Sequence, residues 1–99
     1  MTSILYAWDE KKRLANLRKH RLDFTDADLV VESPVRFDVE VIRNGERRQQ
    51  SFAYVFDLLA VLTVVYVPGK VHRIISFRPA NSREREVYYE WLENDDHDA

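Results

Sequence analysis

The spacing of apolar positions along this chain changes several times, and each change marks an element. Ile4, Leu5, Tyr6, Ala7 and Trp8 form a short apolar run that reads as a first strand, and Asp9 follows as the N-cap of a helix over DEKKRLANLRKH. Within that stretch Leu14, Ala15 and Leu17 give only a narrow apolar stripe, so the helix lies on the surface. DFTDADLVVESP predicts a second helix, with Thr25 as its cap, Asp28 three residues on, Phe24 and Leu29 as a hydrophobic staple, and Pro34 as its end.

From Val35 the period becomes two. Val35, Phe37, Val39 and Val41 alternate with Arg36, Asp38 and Glu40, and Asn44-Gly45 follows as a two-residue hairpin signal because both central positions of a type I′ turn need positive φ. The return strand is expected from about Arg47 to Phe56, with Asp57 as a weak break. LLAVLTVVYV is apolar enough for a central strand covered on both faces, Pro68-Gly69 turns the chain, and VHRIISF pairs back. Strict alternation would put Ile74, Ser76 and Arg78 on one face of this last strand and Arg73, Ile75 and Phe77 on the other. Asn81 then caps a final helix, Glu84 completes a capping box, and Val87, Tyr88, Trp91 and Leu92 form its apolar stripe. The predicted order is strand, two helices, a four-strand meander and a helix. That is an α+β domain, an antiparallel sheet with two N-terminal helices and a C-terminal helix packed on it.

Composition narrows the class. With 99 residues, 45% hydrophobic and 32% charged, the chain reads as one globular domain over residues 1–92, with an acidic, disordered tail expected at 93–99. The absence of cysteine excludes disulfides, thiolate metal sites and a cysteine nucleophile, and fits a reducing cytoplasm. No basic segment and apolar stretch of a secretory signal opens the sequence, and no run approaches the roughly 18 apolar residues of a membrane span. The formal charge is −2, but setting aside Glu93, Asp95, Asp96 and Asp98 leaves 15 basic against 13 acidic side chains. The body is mildly basic, so contact with nucleic acid would need a local patch.

Two basic groups are candidates for such a patch. One is the first helix, with Lys11, Lys12, Arg13, Arg18, Lys19, His20 and Arg21; it reads either as a solvated face, favoured at the helix C-terminus, or as a surface for phosphate or an acidic partner. The other gathers Arg73, Arg78, Arg83 and Arg85 beside Arg47 and Arg48, with Arg78 at a strand end on an open face. Arginine suits phosphate because its planar fork donates bidentately and stays charged, although pairing with Glu84, Glu86 or Glu46 would equally account for it. No phosphate loop, dinucleotide fingerprint or His-x-x-x-His pair is present, so no cofactor is expected.

Three stretches together, WDEKKRLANLRKHRLDFTDADLVVESP, NGERR and HRIISFRPANSREREVYYEW, resemble the BrnT family of bacterial type II toxins. The likeness is carried by Trp8, Asp9, Lys12, Asn16, Lys19, His20, Phe24, Ala27 and Pro34, then Gly45, Glu46 and Arg48, then Arg73 through Ser76, Arg78, Ala80 and Tyr88. Arg21 stands where the family pattern has glycine, which asks a non-glycine residue to take a helix C-cap that often needs positive φ; FAYVFDLL also lacks the usual glycines, altering a hairpin turn.

The resemblance implies a RelE-like fold and a cofactor-independent endoribonuclease that inhibits translation. It also implies neutralisation by a BrnA-like antitoxin, itself similar to ribbon-helix-helix DNA binders, with operator DNA reached only through that antitoxin. On this footing Arg78 stabilises phosphate charge with Arg48 and Arg85 in support, His20 is the proton carrier, and Tyr88 or Lys19 stands in reserve; Lys12, Lys19, Arg73 and Arg85 are the expected RNA contacts. Two other readings are a non-catalytic module that represses transcription with its partner, and a small structural domain whose arginines are salt-bridged.

Overall fold

The computed structural model describes residues 3–95. Its elements run β1 (Leu5–Ala7), α1 (Glu10–His20), a 3₁₀ turn at Phe24–Asp26, α2 (Asp28–Val31), β2 (Phe37–Arg43), β3 (Glu46–Val55), β4 (Ala60–Val67), β5 (Val71–Pro79) and α3 (Ser82–Asp95). The order matches the sequence reading. The sheet does not: it is mixed, with strands in the order β1-β5-β4-β3-β2, because β1 lies parallel to β5 with Leu5 opposite Val71 and Ala7 opposite Arg73. A three-residue strand carries no local mark of its partner. Its place is set by α1, which returns the chain across β5.

Local signals explain most boundaries. Asp9 accepts from the backbone N–H groups of Lys11 and Lys12 at the start of α1, as expected of a cap. Arg21 ends α1 at φ 60° and sends its N–H to the Leu17 carbonyl, so this arginine does adopt the left-handed cap usually given to glycine. Asn44 and Gly45 both have positive φ in the β2–β3 turn, the I′ geometry their sequence predicts. The second helix differs from expectation. Asp23 rather than Thr25 caps it, taking the Thr25 N–H at 3.0 Å; this tightens the first turn to 3₁₀, buries Phe24 and leaves Leu29 exposed, so the staple does not form. α3 runs to Asp95, so residues 93–95 of the expected tail are helical; residues 96–99 lie outside the described residues.

The sheet separates two cores. On one face α1, the 3₁₀ turn and α2 bury Phe24, Val30 and Val31 against Leu62, Val64, Tyr66, Ile74 and Phe77. On the other, α3 packs Tyr88, Trp91 and Leu92 on Phe37, Phe52 and Val61, with Trp91 stacked 5.2 Å from Phe37. Because α3 covers only one end of that second face, the rest is open. No helix among the described residues is long and apolar enough to cross a membrane.

A β-bulge decides which side chains reach the open part. Val65 pairs with Ser76 but Tyr66 pairs with Ile74, so Ile75 is an extra residue in β5. The simple alternation expected for RIISF is therefore wrong: Ile74 and Phe77 both enter the first core, while Ile75, Ser76 and Arg78 line the opposite side. Without the bulge, burying Ile74 would turn Phe77 away from that core.

Candidate nucleic-acid interface

The open half of the second face is a hollow of about 460 Å³ lined by Val41, Arg43, Arg48, Gln50, Val65, Ile75, Ser76 and Arg78. Register builds it. Val41 lies opposite Arg48 and Gln50 opposite Val65, which in turn faces Ser76, so each of these cross-strand neighbours points the same way. The hairpin thus brings Arg43 and Arg48 to the side of the sheet where the bulge has turned Arg78.

The arginines are held by two glutamates. Arg78 donates from Nη1 and Nη2 to the two carboxylate oxygens of Glu84 at 2.8 and 2.9 Å, and Nη1 also reaches the Pro79 carbonyl. Glu84 in turn takes the Asn81 N–H at 2.9 Å while Asn81 Oδ1 takes the Glu84 N–H, so the predicted capping box and the arginine clamp share one carboxylate. Glu46 accepts from Arg48 Nε at 3.0 Å and from Arg73 Nη2 at 2.9 Å. Hydrogen bonding from Arg78 holds the Glu84 carboxyl below its ordinary range, and Arg48 does the same for Glu46. Four guanidinium groups, Arg43, Arg48, Arg73 and Arg78, thus face two carboxylates, and the surface stays net positive. Arg43 is exposed and in no ion pair among the described residues.

Pairing does not exhaust Arg78. A guanidinium has five N–H donors, and the bonds to Glu84 and Pro79 use three of them. Nε–H and one Nη2–H remain, a side-on fork of the shape that grips two phosphate oxygens.

His20 approaches from the other side of β5. Asn16, buried in α1, donates from Nδ2 to the Phe77 carbonyl at 2.8 Å and accepts the Phe77 N–H on Oδ1 at 3.2 Å. The amide takes the place of a neighbouring strand beyond the end of β1 and fixes α1 to the residue before Arg78. His20, one turn on, is half-buried; its pKa is pushed down by burial first, then by the charges of Lys19 and Arg78. Its imidazole is therefore neutral near pH 7.

Not every expected residue joins this site. Tyr88 is fully buried, its hydroxyl donating to the Val35 carbonyl at 2.7 Å and accepting the Tyr54 N–H at 3.2 Å. Burial also raises the phenol pKa. Tyr88 belongs to the core beneath α3, which corrects its expected place among the proton carriers. Lys12 is exposed on α1, two turns and about 12 Å back from His20 at 1.5 Å per residue. Lys19 is exposed beside His20 in the last turn. Arg85 bonds the Ala80 carbonyl and Ser82 Oγ, so it sits at the junction of β5 and α3 without a carboxylate partner among the described residues. Arg47 points to the opposite face, toward Glu40 at 3.6 Å.

Arg43 and Gln50 are lining residues that the sequence reading did not single out. Their signal was period two from Arg48 once the Asn44-Gly45 hairpin is drawn. Gln50 Nε2 reaches Thr63 Oγ1 at 3.1 Å and Glu84 at 3.4 Å, joining the sheet to the clamp. Among the described residues no cluster of three or more His, Asp or Glu side chains is arranged to hold a metal ion.

The arrangement suits an anion with several oxygens along its length, which is the character of a nucleic-acid backbone. No curated protein matches the chain. Residues 8–84 match the family model described as ribonuclease toxin, BrnT, of type II toxin-antitoxin system, a span that takes in the α1 motif, the Gly45–Arg48 turn, and β5 with Arg78 and Glu84. The chain belongs to the BrnT family of ribonuclease toxins of type II toxin-antitoxin systems.

Proposed function

We propose that this chain is a metal-independent endoribonuclease with a RelE-like fold, which cleaves RNA across the arginine-lined hollow, inhibits translation, and is neutralised in the cytoplasm by a BrnA-like ribbon-helix-helix antitoxin. The observation that carries the reading is the convergence of Arg48, Arg73 and Arg78 on one uncovered sheet face. Operator DNA is contacted only through the antitoxin.

The chemistry follows from the donors. His20, neutral because burial and its cationic neighbours disfavour the imidazolium, takes the proton from a ribose 2′-OH. The 2′-oxygen then bonds to the adjacent phosphorus, giving a pentacoordinate phosphorane whose extra negative charge lies on its equatorial oxygens. The free edge of Arg78 and the guanidinium of Arg48 meet that charge from fixed positions, where such preorganised donors are most effective. The P–O5′ bond breaks, the 5′-oxygen takes a proton from Lys19, and a 2′,3′-cyclic phosphate remains. Arg73, Arg85 and Lys12 contact the flanking RNA backbone, Lys12 at the far end of α1.

A second reading has one specific observation in its favour. The bidentate Arg78–Glu84 pair is what a structural domain, or a module acting only in a repressor complex with its partner, would also contain. Arg78→Ala separates them. RNA cleavage and growth arrest are expected to fall at least about 100-fold, the scale of losing one preorganised charge-stabilising donor, while stability falls by only about 1 kcal/mol because the pair is partly exposed. Full toxicity in this variant would remove Arg78 from the chemistry, and wild-type protein that leaves RNA intact while still binding its partner would favour the module.

A further inference from the structure

At the opposite end of β3 the molecule carries a second, differently built surface. A groove of about 420 Å³ runs between α2 and the β3–β4 turn, floored by Leu29, Pro34, Val35 and Phe56. Asp28, Glu32 and Asp57 also line it, and no basic residue does. Phe56 is 77% exposed and Leu59, just beyond it, is also 77% exposed. Leu58 between them is exposed as well.

This turn is costly for the isolated chain in two ways. Its apolar side chains face water, where they gain no burial. Leu59 also sits at φ 52°, a left-handed conformation that glycine takes freely and leucine does not. The fold needs a residue there that tolerates positive φ; it does not need a leucine. A partner that covers the turn would supply the missing burial.

We propose that this groove docks a short apolar segment of the antitoxin flanked by lysine or arginine, an inference that rests on the antitoxin reading above. The charges select the occupant. A second copy using the same patch would set its acids against their own kind, as a two-fold contact requires. The basic face of α1 on a second copy would fit by charge, but that head-to-tail contact builds a ring or an open filament of this chain rather than a defined pair. A separate chain with an apolar anchor and basic flanks satisfies the apolar floor and the acidic rim at once. Val55 lies seven residues, about 23 Å, along β3 from Arg48, and three residues, about 10 Å, from the level of Arg78, which faces Thr63 and through it Phe52; no residue lines both surfaces. Docking there is an anchor distinct from any occlusion of the RNA site.

The test uses the full chain and a purified BrnA-like antitoxin that neutralises it. Phe56→Asp is expected to weaken antitoxin binding by calorimetry at least tenfold, and Asp28→Lys with Asp57→Lys to do the same and to flatten its salt dependence. Leu59→Gly should weaken binding without lowering Tm, because it relaxes the turn while removing the side chain; this variant guards against a folding defect in the others. RNA cleavage without antitoxin should stay within twofold of wild type in all of them. Wild-type affinity retained by Phe56→Asp and Leu59→Gly would overturn the groove while leaving the antitoxin reading intact. A wild-type chain that binds no antitoxin would overturn both, and a Phe56-dependent self-association of the chain alone would replace the antitoxin with a second copy.

Discussion

Two buried side chains show how much a single residue can carry in this fold. Continuing the β2–β3 register backward from Phe37 opposite Phe52 would set Val35 opposite Tyr54, but β2 begins only at Phe37. The Tyr88 hydroxyl bridges that missing rung, taking the Tyr54 N–H and giving its proton to the Val35 carbonyl. Asn16 does the equivalent for Phe77 where β1 stops short along β5. In both cases a side chain satisfies main-chain groups that burial would otherwise leave unpaired, at a cost of about 1–3 kcal/mol for each group. Tyr88→Phe, which orphans both groups, is accordingly expected to lower stability by about 2–6 kcal/mol in a denaturant titration and to leave RNA cleavage within twofold of wild type below the new midpoint. A tenfold loss of cleavage at unchanged stability would return the phenol to the chemistry.

At the scale of elements, the junction of β5 and α3 is where fold and site share atoms. Glu84 closes the helix cap through Asn81 and holds the end of Arg78, and both bonds need its carboxylate form or a like acceptor. Its pKa is depressed below the ordinary 4.5, so the unfolded chain binds the proton first. The stability it contributes is therefore complete above about pH 4.5 and is lost as pH falls through the lower folded value. Glu84→Gln keeps a side chain that can close a capping box while removing the titration. Between pH 5 and 3 the wild type is expected to lose more Tm than this variant, by roughly 4–8 °C if the pair contributes about 1 kcal/mol; parallel curves would show that the pair contributes nothing. The cap itself was legible in the sequence, as was the Asn44-Gly45 hairpin, because each is written within four residues. The bulge at Ile75 was not. It depends on where β5 meets β4, and by shifting the strand's parity it reassigned Phe77 to the first core and Arg73, Ser76 and Arg78 to one face. The parallel place of β1 escaped for the same reason, as did the role of Tyr88, whose partners lie 34 and 53 residues away in the chain.

For the whole molecule, an RNA site of the kind proposed has to hold a polyanion on a chain of formal charge −2. The charges are sorted in space: the hollow carries Arg43, Arg48 and Arg78 with Arg73 at its margin, offset by Glu46 and Glu84, whereas Asp28, Glu32 and Asp57 gather around the groove at the far end of β3. Attraction is then local, its reach limited to about 8–10 Å at physiological salt. RNA binding should be governed by the few phosphates that meet the open face. With three or four such contacts to a single strand, the slope of log K against log salt is expected near −2 to −3, at about −0.7 for each contact. Arg43→Ala, which removes the hollow's arginine that is in no ion pair among the described residues, should make that slope shallower by about 0.7 and leave Tm unchanged, measured by fluorescence anisotropy on a non-cleavable oligonucleotide. Lys12→Ala tests the breadth of the footprint in the same assay: an equal change in slope extends the RNA along α1, and no change confines it to the hollow. A wild-type slope near zero would show that the sorted charges do not hold RNA, and the arginine face would then have to be read as the inward side of a protein contact.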